Sequence, residues 1–457
     1  MSTASAAYTS AASDTGLTLA AVGDLILDDD VLTPRLDATS PELLGLLRDA
    51  HVTIGNFETT AIDFDRFAGW PEAEPGGSWL VTSARSGADV RAMGIDMVSR
   101  ANNHATDWGV AGLRSTSAVL EEAGLVHAGA GESLTAARAP RYLTTRRGRV
   151  ALVSAATRYQ AMSLASDPFG IVPARPGING LRTTKWFGVR PDELRSLAAI
   201  RDSLPPASLH HTARKADARD GSVTLGGTAF ISSEATGGQV GPYWKVDDED
   251  ITALRTSVRQ AKQSADVVAV ALHTHEPGNY SAEPPPFLHD LAHAAVDEGA
   301  DVVLGHGPHQ LRGIEVYRNR PIFYSLGNFI FMQNRQFPLT REAWRRTGLD
   351  PSQHTPSEML EQKRLKGPLS DRIWYESVAV SLSFENHGAY ENQGAVDITI
   401  HPVTLTFDTQ HHSDRGTPRL ADVTAAHGIL NRLRTLSEAY GTEILLGNRQ
   451  GRIRIDR

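Results

Sequence analysis

The chain has 457 residues, 40% of them hydrophobic and 21% charged, enough apolar material to bury a large core without covalent staples. Lys and Arg total 45 against 53 Asp and Glu, a formal charge of -8, which leaves no overall basic field for nucleic acid. Cysteine is absent, so disulfides, thiolate metal sites and Cys nucleophiles are excluded.

Residues 1–16 are small and polar and lack the basic and apolar regions of a secretory signal, so they are expected to be a disordered start. No stretch approaches the roughly 20 apolar residues of a membrane helix. A cytoplasmic chain with no membrane or nucleic-acid partner is the expectation. Leu17 to Val22 reads as a strand buried on both faces that runs into Gly23-Asp24. The same logic recurs along the chain. Val52 to Ile54 leads into Asn56-Phe57-Glu58, and Met97 to Ala101 into Asn102-Asn103-His104. Val267 to Leu272 leads into His273-Thr274-His275-Glu276, Val302 to Leu304 into His306-Gly307-Pro308-His309, and Pro321 to Leu326 into Gly327-Asn328. Helical periodicity at Pro41 to Asp49, Gly109 to Ala123, Ile251 to Ser264 and Pro286 to Glu298 separates these strands. The alternation predicts α/β layers, with polar strand ends gathered in a crevice at the carboxyl edge of a sheet.

Two stretches break the pattern. Residues 160–241 hold Pro-Gly turns and a mixed charged run, and 333–371 are rich in Arg, Gln and Pro. Both read as insertions into a single domain over 17–457. From Glu376 onward, alternating segments predict antiparallel strands closing the sheet, followed by a helix near Asp422 to Leu436.

Asp24, Glu58, Asn103, His273 or His275, His306 and His309 form a set of oxygen and imidazole donors suited to Zn, Mn or Fe(II). Two metals bridged by a carboxylate would activate water, and Glu58 is the natural bridge. His104, beside a ligand in sequence, is placed to protonate a leaving group. Other candidates carry weaker signals. Glu276 could orient an imidazole or simply cap a turn. Trp108 is the best pocket candidate among Trp70, Trp79, Trp108 and Trp186, for each of which packing is the default. Arg158, Arg182 and Arg312 could clamp an anion, though surface solvation is the plainer reading. The adjacent pairs His210-His211 and His411-His412 point their rings apart and read as solvated loop residues.

Taken together, Ala21-Val22-Gly23-Asp24, Asn56-Phe57-Glu58, Ala101-Asn102-Asn103-His104 with Asp107 and Gly109, Arg175-Pro176-Gly177, His273-Thr274-His275-Glu276, Gly305-His306-Gly307-Pro308-His309 and Tyr324 to Phe329 resemble the signature series of CapA-like proteins. That family is named for poly-γ-glutamate capsule synthesis and belongs to the calcineurin-like metallophosphatase superfamily. The resemblance implies a four-layered α/β sandwich with insertions. It also implies that Asp24 is the first metal-binding Asp, Glu58 the bridge, Asn103-His104 the Asn-His pair, His273 or His275 the lone His ligand, and His306 and His309 the terminal pair.

Two departures stand out. The superfamily's Asp-x-His is Asp24-Leu25-Ile26 in this sequence, and its His-x-His is His306-Gly307-Pro308-His309. One metal position has therefore lost a ligand. Carboxylate and imidazole groups with weakened metal affinity can still move protons: Asp24 and one His of the 306/309 pair, facing opposite sides of a Cα, would invert it. Within the family the chain is most similar to the lasso-peptide epimerase branch, which implies inversion of the C-terminal Trp of a ribosomal precursor peptide. No cofactor would then be required, and a leader-peptide-binding protein is a conceivable partner. The alternatives are a hydrolase of phosphoester or amide bonds with a divalent metal pair, and a non-catalytic peptide-binding module.

Overall fold

The computed structural model describes residues 16–28, 32–73, 79–205, 217, 221–332, 341–366, 368–385, 395–409 and 412–455. The chain divides into two compact units, Met1–Gly180 with Ala253–Arg457, and Leu181–Thr252. The insertion expected at 160–241 overlaps the second unit, which begins and ends later and forms a compact body of its own. His210, His211, His411 and most of the charged run from Arg214 to Asp220 lie outside the described residues.

In the first unit, Leu17–Ile26 is the centre of a mixed sheet. Val52–Phe57 pairs with it in parallel, followed by Met97–Ser99 and Val126–Ala128. On its other side run Glu376–Phe384 and Ala395–Leu405, both antiparallel to their neighbours. A second sheet carries four parallel strands in the order Arg320–Phe323, Val302–His306, Val267–His273 and Gly148–Ala156. Alternation assigns each side chain a face. Leu19, Ile54 and Met97 of the first sheet share one core with Leu152, Ala269 and Leu304 of the second. Ala20, Val22 and Val98 point the other way, into a core with Leu43 and Leu47 of helix Pro41–Asp49, Val90 of helix Ser86–Ala92 and Leu120 of helix Gly109–Glu122. Fully burying each such leucine stabilises the fold by about 1.5–3 kcal/mol. Helix Pro286–Asp297 packs on Val302–His306. Because both faces of the parallel strands are covered, Val52–Phe57 and Val267–His273 are buried at every position.

The closing antiparallel strands and the helix Val423–Glu438 fall where the alternating pattern placed them. In the expected excursion 333–371, the described residues form helices Arg341–Thr347 and Pro356–Lys366.

The second unit is a four-stranded sheet of Val223–Leu225, Thr228–Ser232, Thr183–Val189 and Gly241–Val246 with helix Pro191–Ser203. Arg182 belongs to it and is held by Asp250 and Asp247 at 2.8 and 2.9 Å, so it is a structural ion pair.

Two irregularities position the strand ends. Leu17–Ile26 shifts register at Asp24 against both Val52–Phe57 and Asn328–Phe331. Gly23 permits this because its backbone lies against Gly327: an added Cβ would sit 1.8 Å from the Gly327 carbonyl oxygen. Asp24 N–H donates to that same oxygen at 3.0 Å. After Val302–His306 the chain turns sharply at Gly307, whose φ of +112 and close approach to Thr274 admit no side chain. His309 then takes φ 60, a left-handed conformation rare for histidine and held by its surroundings.

Candidate active site

The ends of six strands converge. Asp24 is fully buried and accepts hydrogen bonds from Asn56 Nδ2 at 2.8 Å and Gly307 N–H at 3.3 Å. His306 Nδ1 lies 3.3 Å from one of its oxygens and His309 Nδ1 3.7 Å from the other. Burial alone would raise the Asp24 carboxyl. The His306 imidazole, joined by His309 and His273 in their protonated forms, outweighs burial and holds it well below the usual carboxylate range. His309 Nδ1 donates to Asn328 Oδ1 at 2.9 Å, and its ring packs near Trp374 and Phe331.

Glu58 lies at the centre. It is fully buried, and among the described residues neither carboxylate oxygen has a hydrogen-bond partner. His273 Nε2, His275 Nε2 and His104 Nε2 stand 3.7, 3.8 and 4.0 Å from its Oε1. Burial first, then the neighbouring Asp24 and Asp107, push this carboxyl well above its ordinary value. Asn103 Oδ1 is 2.8 Å from His273 Nε2 and 3.0 Å from His275 Nε2. The two histidines expected as alternatives are therefore both present, with their Nε2 atoms 3.1 Å apart. Burial, then the neighbouring His275, pushes His273 well down; burial, then His309, pushes His275 down to about 3, so both are neutral ligands or acceptors at neutral pH.

On the opposite flank, His104 Nδ1 donates to Asp107 Oδ2 at 2.7 Å, and Leu80 N–H donates to the same oxygen at 2.9 Å. Burial raises the Asp107 carboxyl despite these bonds. The His104 ring is thus fixed with Nε2 turned toward Glu58.

The donor set fits a metal pair. Glu58, His273 and His275 form one group of mutually close ligand atoms, Asp24, Glu58 and His309 another, and Glu58 is common to both. Ligands of a tetrahedral zinc ion with bonds near 2.0–2.1 Å lie about 3.3 Å apart, and His273 and His275 stand 2.8–3.8 Å from each other, from Glu58 and from Asn103. Where the superfamily has a histidine after its first Asp, Ile26 is buried in the helix-side core with Leu25. That position is an apolar contact, and the second donor group is correspondingly poorer.

Not every candidate joins the site. Trp108 is buried in a separate cluster with Ile62, Val81 and Phe67. Glu276 pairs with Arg158 at 3.6 Å. Arg312 is buried and ties down the following loop through the carbonyls of Glu276 and Ser281. Conversely, four residues that were not candidates support the site: Asn56, Asp107, Asn328 and Asn279, which accepts from His275 Nδ1 at 2.7 Å. Asn56, Asp107 and Asn328 lie inside the recognised motifs, which was the available signal. Asn279 carries none.

Residues 18–333 match the family described as bacterial capsule synthesis protein PGA_cap. The chain belongs to this family. It is 41% identical over 449 residues to uncharacterized proteins y4sH and y4uA of Sinorhizobium fredii, covering 96% of this chain and 93% of each relative. It is also 27% identical over 323 residues to the capsule biosynthesis protein CapA of Bacillus anthracis, covering 69% of this chain and 60% of that protein. The matched PGA_cap segment contains every strand end that contributes to the site. Among the described residues no helix is long and apolar enough to cross a membrane.

Proposed function

We propose that this chain is a peptide epimerase on a four-layered metallophosphatase-type α/β sandwich. It inverts the Cα of the C-terminal Trp of a ribosomal lasso-peptide precursor by Asp/His acid-base chemistry without an essential metal. The observation that supports this reading is the pairing of imidazole with carboxylate on both flanks of Glu58: Asp24 with His309 and His306, and Asp107 with His104. Asp24 and His309, only 3.7 Å apart, cannot bracket a Cα between them, contrary to the arrangement first expected. They act as one unit, and His104 with Asp107 supplies the opposing group.

One imidazole removes the α-proton, and its electron pair moves into the adjoining carboxylate as an enediolate. The opposing imidazole delivers a proton to the other face. Charge develops on the carboxylate oxygens, where a protonated Glu58, lacking any other partner, donates a hydrogen bond. A leader-peptide-binding protein could present the substrate.

A second reading, a hydrolase of phosphoester or amide bonds, is favoured by one specific contact. With its Nδ1–H given to Asn279, His275 faces Asn103 Oδ1 at 3.0 Å as acceptor against acceptor, which a cation would reconcile. Glu58, Asn103, His273 and His275 would hold one ion, and Asp24, Glu58 and His309 the other. Such ions would polarise the scissile group and lower the pKa of bound water.

Mass spectrometry of precursor peptide incubated in deuterated buffer with chelator separates these readings. Gain of one deuterium at the C-terminal residue, with inversion and no cleavage, is the expected result. A shortened peptide formed only without chelator supports the hydrolase. An unchanged peptide that still binds leaves a binding module and refutes the epimerase.

A further inference from the structure

Arg100 follows the strand Met97–Ser99 directly and is fully buried. Its N–H donates to Ala128 O at 2.8 Å, so it continues the sheet ladder. Standing two residues beyond Val98, it projects to the same face. Among the described residues none of its three guanidinium nitrogens has a hydrogen-bond partner. Burial pushes its ionisation down to about 10, and among the described residues no carboxylate pairs with it. A guanidinium in that position remains charged at neutral pH.

The surroundings add to the imbalance. His127, on the adjacent strand Val126–Ala128, lies opposite Val98 and feels the charges of both Arg100 and Arg141. Its Nδ1 and the Arg141 Nε are also buried without a partner among the described residues. The carboxylate that pairs with His127, Glu121 at 3.3 Å, is 70% exposed, and among the described residues it makes no hydrogen bond to Arg100. An isolated buried charge costs several kcal/mol. A fold that keeps one is expected to enclose its counter-ion.

We propose that Arg100, with His127 on the adjacent strand, forms a buried site for a small inorganic anion of the chloride class. Size follows from enclosure: Arg100 is 0% and His127 8% exposed, so the ion proposed is small. The site is independent of the chemistry at Glu58, yet it stands at the root of the turn that carries Asn103 and His104. Anion occupancy therefore supports that turn from behind.

Thermal unfolding of the full chain in gluconate buffer, titrated with chloride or bromide at constant ionic strength, tests the assignment. The wild type should show a saturable rise in Tm on the order of 2–4 °C. Arg100→Met should show no saturable rise and should melt no lower than the anion-free wild type, because an apolar side chain of similar length removes the uncompensated charge. The same saturable rise in both proteins, or none in the wild type, overturns the proposal. Should the variant fail to fold, wild-type crystals grown in bromide decide the matter. An anomalous peak in contact with the Arg100 nitrogens supports the site, and its absence there overturns it.

Discussion

Replacing Glu58 by Gln should make the metal-free protein more stable at neutral pH while abolishing its activity. Glu58 is fully enclosed, neither oxygen accepts a hydrogen bond, and Asp24 and Asp107 add like charge, so the folded state favours the protonated acid. A carboxyl raised on folding binds its proton more tightly in the native state. Its ionisation therefore costs stability once the pH exceeds the unfolded value, ordinarily 4.5. Each unit of elevation is worth about 1.4 kcal/mol, and at pH 7 the cost cannot exceed roughly 3.4 kcal/mol, the interval from 4.5 to 7. Gln has the shape of the protonated acid and leaves the same polar atoms unpartnered, so the two proteins should be equally stable below about pH 4. The variant should then gain by about 1–3 kcal/mol toward pH 7. Urea unfolding of both proteins in chelator, across pH 4 to 8, measures this directly. A Gln variant less stable at pH 7, or a difference independent of pH, would refute the account of Glu58 as a carboxyl kept for function at the expense of stability.

Asp24→Asn should cost about 1.5–3 kcal/mol at pH 7, since the amide replaces a charged acceptor of the Asn56 and Gly307 donors. Because Asp24 is depressed on folding, its stabilisation is complete above the unfolded pKa and fades as pH falls toward the folded one, so the gap to wild type should close in acid. His104→Ala should lower turnover by roughly 10²–10⁴-fold with little change in peptide affinity by fluorescence anisotropy. Asp107→Asn should show a smaller loss of the same kind, and a change confined to affinity would remove His104 from the chemistry. Asn279→Ala should weaken Zn or Mn binding in calorimetry by about 10–100-fold by freeing the His275 ring. Unchanged metal affinity would mean that His275 is no ligand. Gly23→Ala, which would press a Cβ into the Gly327 carbonyl, should prevent folding or cost more than about 4 kcal/mol, and a well-folded variant would contradict the strand crossing described at Asp24.

Much of this architecture was legible in the sequence because buried parallel strands read as apolar runs, and their polar termini stood out against them. Helix Pro41–Asp49 begins at a proline that fits the first helical turn, so it matched its predicted bounds. That these side chains would lie together was legible for the same reason: Asp24, Glu58, Asn103, His273, His306 and His309 each end or follow a strand. What the sequence left open were relations between distant segments. Whether His273 or His275 faces Glu58 depends on the turn locked by Asn279 and Arg312, and both do. Trp108 follows His104 closely in sequence, yet side-chain direction after a turn is set by packing, and its ring went to Ile62 and Val81. The second compact unit could not be delimited from composition because its strands are short and half exposed. Arg100 looked like an ordinary residue before a motif. Only the tertiary structure shows it buried with no hydrogen-bond partner among the described residues, because burial and charge compensation belong to residues brought together from separate strands.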